Sequence, residues 1–247
     1  MSFSMPYMRV LIISDIHGNL EALQRVLEIS EGVDAVWALG DTVGYGPNPS
    51  ECLSIVRNRA EVILCGNHDM AAAGTLPFGG FNMQAAKAVE YTRKLLSREE
   101  IRFLCRLTPQ LIGQNVTLVH GSPTNPPIDY ILDHNTAMAA EQALTTEVCF
   151  FGHTHLPGCF YKKGRKFRWL VLQDDQSIPL GNGNILFNPG SVGQPRDGDP
   201  RASFAIADTE AMTWTQKRTA YDIEAVQTKM QAIGAPPFLI SRLAKGI

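Results

Sequence analysis

"LIISDIHGNL", residues Leu11 to Leu20, runs a short apolar segment straight into Asp15 and His17, set two apart, and then into Gly18 and Asn19. An apolar run of this length without polar alternation reads as a strand buried on both faces. Asn19 is a candidate N-cap for a helix through "LEALQRVLEIS", because its side chain can accept from an unpaired amide of the first turn. The pattern recurs. "VDAVWALG", "AEVILCG", "NVTLVHG" and "EVCFFGH" are further runs, and Pro49 with Ser50 can open a second helix through "SECLSIVRN". Helices are also expected over 82–96, 98–106 and 136–144. Strand alternating with helix predicts parallel pairing in an α/β fold, where ligand-binding groups gather beyond the carboxyl ends of the strands.

That rule sorts the polar residues. Asp15 and His17 follow the first run, Asp41 the second, Asn67 and His68 the third, His120 the fourth, and His153 and His155 the fifth. Of the six histidines, only His134 falls elsewhere; it reads as a surface residue before a helix start at Asn135 or Thr136. If the segment after the first run is extended, residues i and i+2 project to one side, so Asp15 and His17 can grip one cation while Ile16 turns into the core. "GHTH" repeats the device with His153 and His155. Three Asp or Asn oxygens with four or five imidazoles are too many donors for one tetrahedral structural zinc. Two cations sharing a carboxylate fit the count.

Composition limits the alternatives. The 247 residues, 45% of them hydrophobic, suffice for a sizeable core, and no linker or repeat divides them, so one domain is expected over 1–247, with 1–7 flexible and 220–247 a helical tail. A formal charge of -2 gives no general attraction to a nucleic-acid backbone. The basic segment "YKKGRKFRW", residues 161–169, reads as a solvated hairpin. Five scattered cysteines without CxxC spacing suit reduced thiols in a cytoplasmic protein. The apolar runs are too short to span a bilayer, and "MSFSMPYM" lacks the charged and apolar regions of a secretory signal. The tail "PPFLISRLAKGI" carries apolar residues that would pack on the core or on a second copy in a homo-oligomer.

The ordered blocks Asp15-x-His17, Gly40-Asp41, Gly66-Asn67-His68-Asp69, His120 and Gly152-His153-x-His155 resemble those of the calcineurin-like metallophosphoesterase superfamily, over roughly residues 9 to 195. The resemblance implies a four-layer α/β/β/α sandwich with two mixed sheets, the later strands "KFRWLVLQ", "NILFNPG", "SFAIAD" and "TWTQKR" supplying much of the second. It implies a first metal on Asp15, His17, Asp41 and His155 and a second on Asp41, Asn67, His120 and His153. It further implies hydrolysis of phosphodiesters or phosphomonoesters by a hydroxide shared between two divalent ions. Mixed imidazole and carboxylate donors suit Mn, Fe, Zn, Co or Ni. His68, not needed as a ligand, is then placed to be a general acid, with Asp69 as its orienter or a helix N-cap.

"GDTVGYGPNP" and "NPGSVGQPRDGDPRASFAI" are similar to signatures of the small prokaryotic phosphodiesterase group. By that likeness Asn188, Gly190 and Ser191 shape the pocket and Arg196 meets a substrate phosphate. The partner expected is a phosphate-ester small molecule or nucleotide, with dinucleoside polyphosphates as the alternative and Tyr45, Phe78, Tyr130 and Arg196 as candidate lining residues. A protein phosphatase of the eukaryotic type would carry Asp and Arg where this chain has Gly44 and Tyr45. A serine hydrolase would need a Gly-x-Ser-x-Gly elbow and a P-loop enzyme Gly-x4-Gly-Lys-Ser/Thr; neither occurs. A non-enzymatic scaffold on the same fold is disfavoured because no ligand position is lost. Residues 71–81, "AAAGTLPFGGF", read as a loop or flap.

Overall fold

A computed structural model describes residues 8–247; the expectation for 1–7 lies outside the described residues. The chain runs β1 (Arg9–Ile13), α1 (Leu20–Ile29), β2 (Ala35–Ala38), α2 (Pro49–Arg59), β3 (Val62–Ile63), α3 (Asn67–Ala73), α4 (Met83–Leu95), α5 (Arg98–Leu104), β4 (Gln110–Ile112), β5 (Val116–Val119), α6 (His134–Ala143) and β6 (Val148–Phe151). It continues through β7 (Pro157–Lys163), β8 (Lys166–Val171), β9 (Ser177–Pro179), β10 (Asn184–Pro189), β11 (Ala202–Asp208), β12 (Thr213–Thr219), α7 (Ile223–Ala232) and α8 (Pro237–Ser241).

Two six-stranded sheets form, in the orders β3-β2-β1-β11-β12-β9 and β4-β5-β6-β10-β7-β8. Both are mixed. The trio β1, β2 and β3 and the trio β5, β6 and β10 pair in parallel, whereas their flanking strands run antiparallel. The period-two geometry of a strand divides each apolar run between two cores. Val10 and Ile12 of β1 face Val116 and Leu118 of β5, Phe150 of β6 and Trp214 of β12 between the sheets. Leu11 and Ile13 turn the other way, onto Leu23 and Val26 of α1 and Val56 of α2. In the second sheet Cys149 and Phe151 pack outward against Ala137 and Ala140 of α6. The result is the α/β/β/α layering expected, with one correction: "KFRWLVLQ" (β8) and "NILFNPG" (β10) join the second sheet, whereas "SFAIAD" (β11) and "TWTQKR" (β12) extend the first, because β11 pairs antiparallel with β1.

The helix starts follow local chemistry. Asn19 caps α1 by accepting from the Ala22 amide, and Pro49 opens α2. The start of α6 differs from expectation. Asp133 is its N-cap, accepting from the Thr136 amide, and His134 is half-buried, its Nδ1 accepting from the Phe167 amide of β8. The helix α3 also departs from the sequence reading: "NHDMAAA" winds a short helix directly from the candidate ligand Asn67 and ends at Gly74, whose φ of 81° closes the turn. The basic segment 161–169 forms the β7–β8 hairpin, with Lys162 held 2.7 Å from Glu141. At the C-terminus, Val226 and Met230 of α7, Leu239 of α8 and Leu243 pack with Tyr45 and with Ala85 and Ala88 of α4, so the tail's apolar face is turned onto the chain's own core. No helix among the described residues is long and apolar enough to cross a membrane.

Register brings the parallel strand ends level. Ile13 lies opposite Ala38, and Ala38 opposite Ile63; across the second sheet Val119 lies opposite Phe151. Six loops therefore leave the sheets at one end of the sandwich. The inter-sheet core beneath them is aromatic, with Phe150 and Phe187 at 5.0 and 5.1 Å from Trp214, ring centre to ring centre. Phe150→Ala should lower the unfolding free energy by about 3–5 kcal/mol, measured by urea denaturation; a loss below about 1 kcal/mol would mean that this core does not hold the sheets together.

Candidate metal centre and substrate cavity

The loops after β1 and β2 are laced by backbone bonds: Asp15 N to Gly40 O at 3.0 Å, His17 N to Asp41 O at 2.9 Å and Gly18 N to Thr42 O at 2.9 Å. This geometry corrects one expectation. The segment after β1 is not extended, because Asp15 and His17 have φ of 53° and 50°, and the left-handed turn itself brings their side chains together. Asp41, His153 and His155 share that conformation, with φ of 52°, 66° and 61°. Each such residue costs on the order of 1–3 kcal/mol and persists only where surroundings over-determine it.

The donors form two groups. Asp15, His17 and His155 offer ligand atoms mutually within 4.8 Å, as do Asp41, His120 and His153, and all are buried. Asp41 Oδ2 stands 3.7 Å from His17 Nε2 and 3.4 Å from His120 Nε2, between the groups. Asn67 Oδ1 lies 3.3 Å from His120 Nε2. The loops are joined across the sheets by the His153 amide, which donates to Asp15 Oδ2 at 2.9 Å. Asp15 Oδ1 is buried and accepts no hydrogen bond among the described residues, with His155 Nε2 3.3 Å away.

Ring orientation is set by main-chain carbonyls. The Nδ1 atoms of His17, His120 and His155 lie 3.3, 3.0 and 2.6 Å from the carbonyl oxygens of Val43, Leu39 and Gln194. A carbonyl only accepts, so each Nδ1 carries a hydrogen and each Nε2 faces inward, presenting a lone pair wherever the ring is neutral. His153 is reversed: its Nε2 donates to Ile128 O at 3.0 Å, leaving Nδ1 for the centre. Sequence carried no signal for these backbone acceptors.

Charge follows from this packing. Burial drives the pKa values of His17 and His155 below the ordinary imidazole range, against Asp41 and Asp15 respectively, and Arg196 pushes His155 down further. Burial and the neighbouring His120 take His153 down to about 3. At His120 burial also acts downward, but the Asp41 carboxylate, with help from Asp15, lifts the ring to about 9. Asp41 is held well below the carboxylate range by His120 and His68 despite its burial, and Asp15 likewise by His155.

This donor set fits cations. The neutral rings of His17 and His155 point lone pairs at one another with 3.2 Å between Nε2 atoms, beside the unpaired Asp15 Oδ1. Such groups repel and are desolvated unless a positive charge lies among them. Imidazole with carboxylate suits a divalent transition metal.

Supporting residues do other work. Asp69, read as an orienter of His68, spends its carboxylate on the amides of Thr42, Val43 and Gly66 at 3.2, 3.0 and 3.0 Å, and thereby fixes the loop that carries Asp41. Burial and Asp41 raise its pKa to about 7. Asn188 and Ser191, expected to touch substrate, are fully buried. Asn188 Nδ2 donates to Gly152 O and Thr154 Oγ1, and Ser191 Oγ donates to Asp15 O at 2.7 Å, so both brace ligand loops. Gly66 has no room for a side chain, since a Cβ there would lie 2.1 Å from Asp41 Oδ1.

A cavity of about 370 Å³ opens beside the donors and is lined by His68, Tyr45 and Arg196. His68 is buried; its ring lies 4.4 Å from Tyr45 and 5.0 Å from His17, and its Nδ1 has no hydrogen-bond partner among the described residues. Burial lowers its pKa to about 4, with Asp41 opposing and Arg196 assisting. The Arg196 guanidinium donates to Gln194 Oε1 at 2.8 Å and stands 5.9 Å from the Tyr45 ring centre, while its Nε is buried without a hydrogen-bond partner among the described residues. Tyr130 lines the same cavity, as does Phe81, which the sequence reading did not single out although "PFGGF" placed an aromatic after a glycine pair. The Phe78 side chain lies outside those described.

Comparison with known proteins agrees with this architecture. Residues 8–212 match the profile of the calcineurin-like phosphoesterase superfamily domain. A metallophosphoesterase from Sphaerobacter thermophilus superposes with a TM-score of 0.90 at 41% identity, covering 97% of this chain and 99% of that one. An uncharacterised protein of Methanocaldococcus jannaschii is 34% identical over 96% of this chain and 98% of its own length. The phosphodiesterase YfcE of Escherichia coli K12 is 25% identical over 83% of this chain and 90% of its own.

The His120 shift yields a measurable consequence. At pH 7 its ring is protonated in the metal-free protein, and a cation can take its Nε2 only after that proton leaves. Loading with Mn²⁺ at pH 7 should release about one proton per chain, read by calorimetric titration in buffers of different ionisation enthalpy. Release should fade above about pH 9. No release at pH 7 would show that His120 is not a ligand or is already neutral.

Proposed function

The chain belongs to the calcineurin-like phosphoesterase superfamily, and from that membership and the paired donor sets we propose that it hydrolyses phosphate esters, diesters or monoesters, with two divalent transition-metal ions. Asp15, His17 and His155 would hold the first ion and Asn67, His120 and His153 the second, with Asp41 shared. The observation that carries this reading is the placement of Asp41 Oδ2 within 3.7 Å of His17 Nε2 and 3.4 Å of His120 Nε2, with one nitrogen of every ring turned inward and the other held by a backbone carbonyl. Such a pair of ions supplies neutralisation of the phosphate oxygens and lowers the pKa of water from about 15.7 to about 7.

The remaining tasks fall to the protein. Arg196 lines the cavity and is held there by a bond to the neutral Gln194 side chain, so its guanidinium is available to a non-bridging phosphate oxygen. Tyr45 backs Arg196 and His68 and limits where the ester can lie. His68 donates toward the leaving oxygen. In the metal-free protein burial and Arg196 hold its pKa down to about 4 against Asp41; the charge of a bound anionic ester would favour the protonated ring, the form that a general acid needs. Gly44 leaves room for the His68 ring to lie against the backbone, since a Cβ there would lie 2.7 Å from its Nδ1.

The test is release of p-nitrophenol from bis-p-nitrophenyl phosphate and p-nitrophenyl phosphate by protein loaded with Mn²⁺. Chelation should abolish the activity and added metal restore it; activity indifferent to both would overturn the proposal. Asp41→Asn should lower the content of both metals, and a fully loaded variant would exclude the shared ligand. His68→Ala should keep its metal and lose about 10²- to 10⁴-fold in rate with poor leaving groups, and much less with p-nitrophenolate. Equal losses would remove the acid role.

A further inference from the structure

The cavity extends past the donors as two apolar walls, one beside each donor group. The first comes from the segment between α3 and α4: Leu76, Pro77 and Phe81 line it, and the Phe81 ring meets His68 edge to face at 5.0 Å. His68 in turn lies against His17 of the first group. The second comes from the loop between β5 and α6: Ile128 and Tyr130 line it, and Tyr130 stacks on His153 of the second group at 3.8 Å with the planes 17° apart. Ile128 and Tyr130 remain 45% and 44% exposed. Apolar surface left wet beside a charged centre marks a place that a ligand covers. Inorganic phosphate, or a monoester of a small polar alcohol, would cover neither wall fully. The donors account for the phosphoryl group alone, and Arg196 is the one guanidinium lining the cavity among the described residues.

We propose that the site is shaped for phosphodiesters whose two arms both carry a flat apolar ring, with Phe81 and Tyr130 as the specificity-determining residues. The inference rests on the phosphoesterase reading above. Phe81 adjoins His68, so its wall takes the ring of the leaving alcohol, and Tyr130 takes the ring of the arm that is retained. The reaction consumes one water: a P–O bond forms to the water oxygen, the P–O bond to the arm beside Phe81 breaks, and His68, having taken a proton from solvent as the anionic ester binds, passes it to the departing oxygen and returns to its neutral form. A monoester remains beside Tyr130, and the water's own proton passes to solvent.

The experiment compares kcat/KM for bis-p-nitrophenyl phosphate, with two rings, and methyl p-nitrophenyl phosphate, with one, on Mn²⁺-loaded protein. Both release the same phenolate, so the change in their ratio between variants reports the retained arm. Tyr130→Ala should reduce the ratio by about tenfold, the usual effect of removing one stacking partner, with metal content checked on each preparation. Tyr130→Phe should restore it. Phe81→Ala should lower both substrates by similar factors. A ratio that Tyr130→Ala leaves within about twofold of wild type overturns the assignment. A second measurement needs no turnover: calorimetric titration of the loaded protein with diphenyl phosphate and with dimethyl phosphate. Diphenyl phosphate should bind about tenfold tighter, and Tyr130→Ala should remove the difference. If that preference appears while no ester is cleaved, the hydrolase reading fails and the two-ring subsite stands; equal affinities overturn the subsite even where every ester is cleaved.

Discussion

Buried imidazoles and two carboxylates are crowded at the ends of the parallel strands, the rings of His17 and His155 neutral with their lone pairs directed at one another. Without a positive charge among them this arrangement is costly on two counts, desolvation and mutual repulsion. Everything around the centre serves to hold it. Carbonyls of Leu39, Val43, Ile128 and Gln194 turn the rings, and the His153 amide occupies one oxygen of Asp15 so that the other faces inward. The same crowding lifts His120 and depresses the neighbouring rings, so a cation that takes the His120 Nε2 would displace a proton.

The cost is distributed to rigid elements. Asp15, His17, Asp41, His153 and His155 all occupy the left-handed region, and each is locked by bonds from a neighbouring loop. Asp69 gathers three amides under the Asp41 loop, and Ser191 and Asn188 tie the loop after β10 to those after β1 and β6. Beneath them the Phe150, Phe187 and Trp214 cluster fixes one sheet on the other. Ligand loops are thus over-determined from below, while the apolar walls around Phe81 and Tyr130 come from longer connections where the cavity opens to solvent. The candidate metal donors thus sit on the braced loops, and the walls of the proposed two-ring site on the longer connections.

Much of this was legible in the sequence because it is local. Apolar runs without alternation marked the parallel strands, and their level ends explain why Asp15, Asp41, Asn67, His120 and His153 meet although they span most of the chain. Asn19 and Pro49 marked helix starts through nearest-neighbour chemistry. What escaped depends on contacts distant in sequence. The left-handed turns at Asp15 and His17 are imposed by bonds to the Asp41 loop, which no spacing rule encodes. Asn188 and Ser191 looked like pocket residues beside a Gly, yet partners far along the chain bury them. Asp69 adjoins His68 in sequence but points to backbone on another loop. His134 was read as solvent-facing because the β8 strand that meets it is contributed by residues some thirty positions later.

The central claim is that two cations share Asp41. It is tested most directly by anomalous diffraction at the manganese edge from crystals grown with Mn²⁺. The account predicts two anomalous peaks about 3.5–4 Å apart, one among Asp15, His17 and His155 and the other among Asn67, His120 and His153, with Asp41 between. A single peak, or none within reach of these side chains, would contradict it.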